Sequence, residues 1–149
     1  MQILSQRDPR WSTIKMKPSS LTLGRYGCTT TCISMLSDFY GCFVNPGKAA
    51  GENIKYTGTG LIMWDKISFP NFKFEKRRYG FSKTEIDYSL DRPALSVILE
   101  VDSSHWVVAL RRVPFTNLYW IADPWDGKKK LSSAYKKITG SAHFIAKTK

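Results

Sequence analysis

The segment 29–40 constrains this chain more than any other. Cys32, Ile33, Met35, Leu36, Phe39 and Tyr40 recur there at i, i+3, i+4 and i+7 spacing, the period of an α-helix, and Gly41 supplies a stop. So broad an apolar stripe predicts a deeply buried helix. Weaker helical patterns lie around 48–54 and 61–67. A further helix is predicted over 83–90, opened by Ser82 with Glu85 three residues later, a capping box. The first 27 residues read mostly as loop, broken by Asp8-Pro9, Lys17-Pro18-Ser19-Ser20 and Gly24.

Beyond residue 93 the pattern changes. Segments 94–101, 106–113, 118–122 and 143–147 are rich in Val, Ile, Leu and aromatic residues and read as strands. The short connections Asp102-Ser103-Ser104 and 114–117 favour antiparallel hairpins. Helices first and antiparallel strands later predict an α+β fold, with the helix at 29–40 packed centrally on the sheet. No repeat, low-complexity tract or linker divides the 149 residues, so one domain over 1–149 is expected. Hydrophobic residues at 42% and charged residues at 23% exclude disorder, collagen and coiled coil. No apolar run approaches the roughly 20 residues of a membrane helix. Residues 1–8 hold no signal-type apolar core, so the expectation is synthesis in the cytoplasm without a secretory address.

Twenty-three Lys and Arg against twelve Asp and Glu leave a net charge of +11. Such a surplus favours an anionic polymer as partner: nucleic acid, a membrane face or a cell wall. The clusters 73–78, 128–130 and 136–137 fit a solvated, solubilising surface equally well. Three cysteines, Cys28, Cys32 and Cys42, are too few for a disulfide scaffold, and the odd count leaves at least one free thiol. With only His105 and His143 beside them, no regular zinc ligand set is present, and no metal or other cofactor is expected.

The chemistry of a free thiol is a different matter. Cys28 follows Gly27 and opens the buried helix, where the helix dipole and unpaired N–H groups favour thiolate over thiol. The flanking glycine would let a substrate approach the sulfur. Cys32, one turn later on the apolar surface, fits an inert core role, and Cys42 lies beyond the helix end. A thiolate nucleophile needs an acid–base partner, usually a histidine, and the histidine an orienting group. His105 begins a strongly apolar strand, and the next strand delivers Asp123-Pro124. A hairpin centred near position 115.5 pairs residues whose numbers sum to about 231, which sets His105 opposite Asp126 with Asp123 a few residues away. A bulge could align either aspartate. Asp123 is chemically better placed, because it ends the strand directly and Pro124 stiffens the chain just beyond it. His143 has a structural role available in the last strand.

The order Cys at a helix start, His at a strand start and Asp on the neighbouring strand is that of papain-like cysteine peptidases. Four blocks, Gln6-Arg7-Asp8-Pro9-Arg10-Trp11, Gly24-Arg25-Tyr26-Gly27-Cys28-Thr29, His105-Trp106-Val107-Val108-Ala109 and Asp123-Pro124-Trp125-Asp126-Gly127, make the likeness specific. Together they resemble the papain-like branch typified by bacteriocin-processing, double-glycine-leader peptidases, in its stand-alone form. The resemblance implies a papain-like fold with Cys28 as nucleophile, His105 as general base and acid, and Asp123 holding the imidazole. It implies that Gln6 and the Cys28 N–H stabilise the oxyanion. In the leader-processing members the matching glutamine lies much closer to the cysteine; here 22 positions separate the two. Trp11 and Trp106 fit packing roles, and the segment 61–81 is the candidate for substrate subsites.

With no transporter segments attached, a free-standing hydrolase is expected, cleaving a peptide or amide bond through an acyl-thioester. A basic enzyme cutting peptidoglycan would use both the triad and the charge, as the wall hydrolases of the NlpC and CHAP families suggest by analogy. Such an enzyme would reach the wall through a pore, by injection or by lysis. Two alternatives belong to other classes. One is a catalytically silent member binding peptide or wall fragments. The other is a nucleic-acid module built on Lys73, Phe74, Lys76, Arg77, Arg78 and Tyr79, for which no recognised signature is present. Phosphate-loop enzymes are excluded, since Gly58-Thr59-Gly60 is too short and no GxxxxGK[ST] occurs. The twelve acids show no glycosidase-like pairing in sequence.

Overall fold

A computed structural model describes residues 1–148. After a first stretch that is mostly loop, the four-residue helix α1 (Leu23–Tyr26) leads through Gly27 into α2 (Cys28–Phe39). This is the predicted helix, shifted by one residue. Every residue from 30 to 37 is buried, polar ones included. Its hydroxyls satisfy nearby backbone: Ser37 Oγ donates to Ser34 O at 2.6 Å and accepts from Val44 N at 2.9 Å. Gly41, at φ +77°, takes the left-handed position past the helix end that a Cβ would strain.

Helix α3 (Pro46–Glu52) begins two residues before the predicted 48–54. Asn45 caps it by accepting from Lys48 N at 3.0 Å, and Pro46 occupies the first turn, where its missing N–H costs nothing. The helix predicted at 61–67 does not form; only a single 3-10 turn, Trp64–Lys66, occupies that stretch. Its backbone groups are engaged elsewhere. Thr57 N donates to Leu61 O at 2.8 Å, and Ile62 bridges Tyr56. Helix α4 (Lys83–Leu90) matches the prediction in both bounds. Ser82 Oγ accepts from Glu85 N at 3.4 Å, but the Glu85 carboxylate turns to Lys76 at 3.1 Å and Arg78 at 2.9 Å, so half of the capping box forms.

Six strands form one sheet: β1 (Phe72–Tyr79), β2 (Leu95–Val101), β3 (His105–Arg112), β4 (Tyr119–Asp123), β5 (Lys128–Leu131) and β6 (Ile138–Ala146). Their order is β1-β6-β2-β3-β4-β5, and all neighbours are antiparallel. The last strand starts five residues before the predicted 143, because it pairs with both β1 and β2. The two edge strands, β1 and β5, lie outside the four predicted segments.

Alternation along the strands divides the core. Ile98, Val108, Ala122, Ala142 and Phe144 face Cys32, Ile33, Met35 and Leu36 of α2, with Ala49 and Ala50 of α3 in the same cluster. Val97, Leu99, Val101, Val107, Ala109, Tyr119 and Ile121 pack with Ile86 of α4 in a second cluster. The α+β class and the central placement of α2 against the sheet are therefore as expected. Among the described residues, no helix is long and apolar enough to cross a membrane.

Candidate active site

Cys28 is the first residue of α2 and is half-buried. No side chain caps this helix, so none competes for its first-turn N–H groups. Gly27 also meets a backbone constraint. A Cβ there would lie 2.6 Å from Leu23 O and 2.7 Å from Leu23 Cα, so the turn joining α1 to α2 leaves no room for a side chain.

His105 opens β3 and Asp123 closes β4. Near the hairpin the ladder follows the predicted sum, pairing Arg112 with Tyr119 and Arg111 with Trp120. A bulge between Ala109 and Arg111 then shifts it by one, pairing Val108 with Ala122. His105 Nε2 donates to Asp123 Oδ1 at 2.8 Å. Asp126 is instead paired with Lys130 at 2.9 Å. With Nε2 committed, Nδ1 is the ring nitrogen left for the thiol. Burial works against charge on His105, but the hydrogen bond to Asp123 and the neighbouring Cys28 outweigh it and raise the imidazole to about 9.

The Asp123 carboxylate is completely buried and takes four donors. Oδ1 accepts from His105 and from Trp125 N at 2.9 Å; Oδ2 accepts from Lys130 Nζ at 2.9 Å and from the Tyr135 hydroxyl. Burial alone would raise this carboxyl, yet the four donors hold it well below the usual carboxylate range. Tyr135 also packs on the His105 ring, with centroids 5.4 Å apart. Lys130 and Tyr135 are not identified by sequence alone. Lys130 hides in a run of three lysines, and its signal is the tight Asp123–Gly127 turn that folds β5 back along β4.

Gln6 is buried, with its backbone N–H on Pro124 O at 2.7 Å and its Nε2 on Gly24 O at 3.3 Å. It thus ties the residue after Asp123 to the segment entering Cys28. The other thiols are placed as expected. Cys32 is fully buried with its Sγ on Trp106 O at 3.4 Å, and burial, Cys28 and Asp123 push its thiol well up. Cys42, past α2, is raised by burial. His143 is buried between Ser89 Oγ at 2.7 Å and Ser141 Oγ at 2.8 Å, a structural position where burial and Lys76 lower it to about 4. Among the described residues, no three His, Cys, Asp or Glu side chains gather as a metal-binding group.

Cys28 borders a groove of about 390 Å³ whose walls include Tyr26, Leu61, Trp64, Arg77, Tyr79 and Trp106. Four of these come from the segment 61–81, although part of that segment is β1 rather than loop. Trp106 packs against Trp64 and also lines the groove; Trp11 is buried with its Nε1 on Ser5 O at 2.8 Å. The basic–aromatic cluster of β1 is largely engaged internally. Lys76 and Arg78 pair with Glu85, Arg77 pairs with Glu100 at 3.1 Å, and Phe74 stacks on Trp64. A larger cavity of about 610 Å³ lies elsewhere, bounded by Phe81, Tyr135, Lys136 and Lys137, with Cys28 outside it.

The Peptidase C39 family model matches residues 19–147, and the chain belongs to that family. Its activity class is accordingly that of a cysteine peptidase, a hydrolase acting on peptides. Cys28, His105 and Asp123 lie within the matched span; Gln6 and Trp11 precede it. No curated protein and no solved structure matches the chain.

Proposed function

We propose that this chain is a cysteine peptidase of papain-like fold, one domain over 1–149, working through Cys28, His105 and Asp123. The observation that carries this reading is the 2.8 Å bond from His105 Nε2 to Asp123, which leaves Nδ1 for the thiol at the start of α2. The Cys28 thiolate attacks the scissile carbonyl, and the oxyanion is met by the Cys28 N–H and by Gln6. Protonated His105 gives its proton to the leaving amine, and an acyl-thioester remains. Water, deprotonated by His105, then attacks the thioester and releases the carboxylic acid and free Cys28. The leader-peptidase-like group suits the four sequence blocks, and the +11 charge suits an anionic peptidoglycan-type substrate.

The test is alkylation of Cys28 by iodoacetamide as a function of pH, in the wild type and in His105→Ala. Rapid alkylation well below pH 8.5, the ordinary range of a thiol, slowed by His105→Ala, is the expected result. Release of peptide from peptidoglycan compared with turnover of free peptides then assigns the substrate class. A Cys28 that reacts like a simple thiol in both proteins overturns the mechanism.

A further inference from the structure

Resting on that triad, we propose that Lys130 is a positioning residue of the active site. Shared between Asp123 and Asp126, it holds the Asp123 carboxylate in line with His105 and limits how much of its negative charge the imidazole feels. Lys130 lies opposite Ile121 in the β4–β5 ladder, diagonal to Asp123 on the same face. Its Nζ is 2.9 Å from Asp123 Oδ2 and 2.9 Å from Asp126 Oδ2. An exposed lysine pair does little. This one is different, because its partner Asp123 is wholly buried and carries His105 on its other oxygen.

Two cations therefore share one carboxylate, one fixed and one that titrates. The fixed cation competes with the imidazolium for the same negative charge, so it holds the His105 proton more loosely than Asp123 alone would. The other titratable or charged groups around the pair are Cys28 and Cys32 on α2, Asp102 in the β2–β3 turn, Asp126 after β4, and Tyr135. Asp126 draws Lys130 partly away from Asp123, and Tyr135 supplies a second donor to the oxygen that Lys130 holds. Lys130 and Asp126 thus act on His105 with opposite sign.

The test uses iodoacetate on the full chain carrying Cys42→Ser, following modification of Cys28 across pH. Iodoacetate is an anion and is drawn to protonated His105, so its rate falls as that proton leaves, near pH 9 for the wild-type imidazole. Lys130→Met is expected to move this alkaline limb upward by about half a pH unit or more, the effect of one unit charge across a carboxylate under water-like screening. Lys130→Arg keeps the cation and should leave the limb in place. Asp126→Asn removes an anion and frees Lys130 for Asp123, so it should move the limb downward. A limb that stays put in Lys130→Met overturns the proposal whatever Asp126→Asn does, and if Lys130→Met does not fold, Lys130→Gln takes its place. A wild type with no His105-dependent limb at all would instead remove the triad on which the proposal rests.

Discussion

Gln6 is buried with its amide half engaged: Nε2 donates to Gly24 O, while Oε1 has no partner among the described residues. An unpaired buried carbonyl of this kind costs about 1–3 kcal/mol, so the surrounding structure must hold it there. The backbone bond to Pro124 does so, and it brings the side chain between the Cys28 and Asp123 segments. In the proposed mechanism the second Nε2 hydrogen is the one that meets the oxyanion. Gln6→Ala is expected to lower turnover of a peptide substrate by about 10²–10³-fold, the loss typical of one oxyanion donor. Alkylation of Cys28 should be unchanged, since that reaction develops no oxyanion. Equal losses in both assays would mean that Gln6 only supports the fold. Cys28, His105 and Asp123 are legible in sequence because each begins or ends a strongly patterned element. Asp123 and Asp126 are separated by the bulge near Leu110 and by the pairing of Asp126 with Lys130, neither of which hydrophobic periodicity records.

At the level of elements, α2 and α4 are legible because their signals are local: a wide apolar stripe with a glycine stop, and a serine cap. The edge strands are not. In β1, Lys73, Glu75, Lys76, Arg77 and Arg78 interrupt the apolar alternation, and Lys76, Arg77 and Arg78 are accommodated by acids on α4 and β2, Arg77 also by the Tyr79 and Trp106 rings. In β5, three lysines in four residues are a common way to protect a sheet edge and read as surface. The α1–α2 junction is equally invisible, because the constraint on Gly27 comes from the backbone of Leu23. Gly27→Ala should therefore destabilise the protein by about 1–3 kcal/mol, an overpacking cost, since backbone cannot move aside as a flexible side chain would. The urea midpoint at neutral pH measures this. A midpoint equal to wild type would show that the junction opens without cost, and the position of Cys28 would then not depend on it.

For the whole molecule, the site and the stability meet at Asp123. Its carboxyl lies lower in the folded chain than the ordinary value of about 3.9. A depressed carboxyl contributes stability that is fully present above the unfolded value and is lost as pH falls through the folded one. Acid also protonates the other carboxylates of a chain already at +11, so self-repulsion grows in the same range. Asp123→Asn separates the two effects. At pH 6 the amide leaves Lys130 and the Tyr135 hydroxyl facing a weaker acceptor or another donor, and the protein should lose about 2–4 kcal/mol, as when one partner of a buried pair is removed. Below about pH 3.9 the Asp123 carboxyl of the unfolded chain takes up a proton that the folded one still refuses, while the amide titrates in neither state. The gap between the two denaturation midpoints should then narrow steadily toward pH 2. General charge repulsion is common to both proteins and leaves the gap untouched. A gap that keeps its pH 6 value throughout would mean that the ionised Asp123 is not what holds β4, β5 and His105 together.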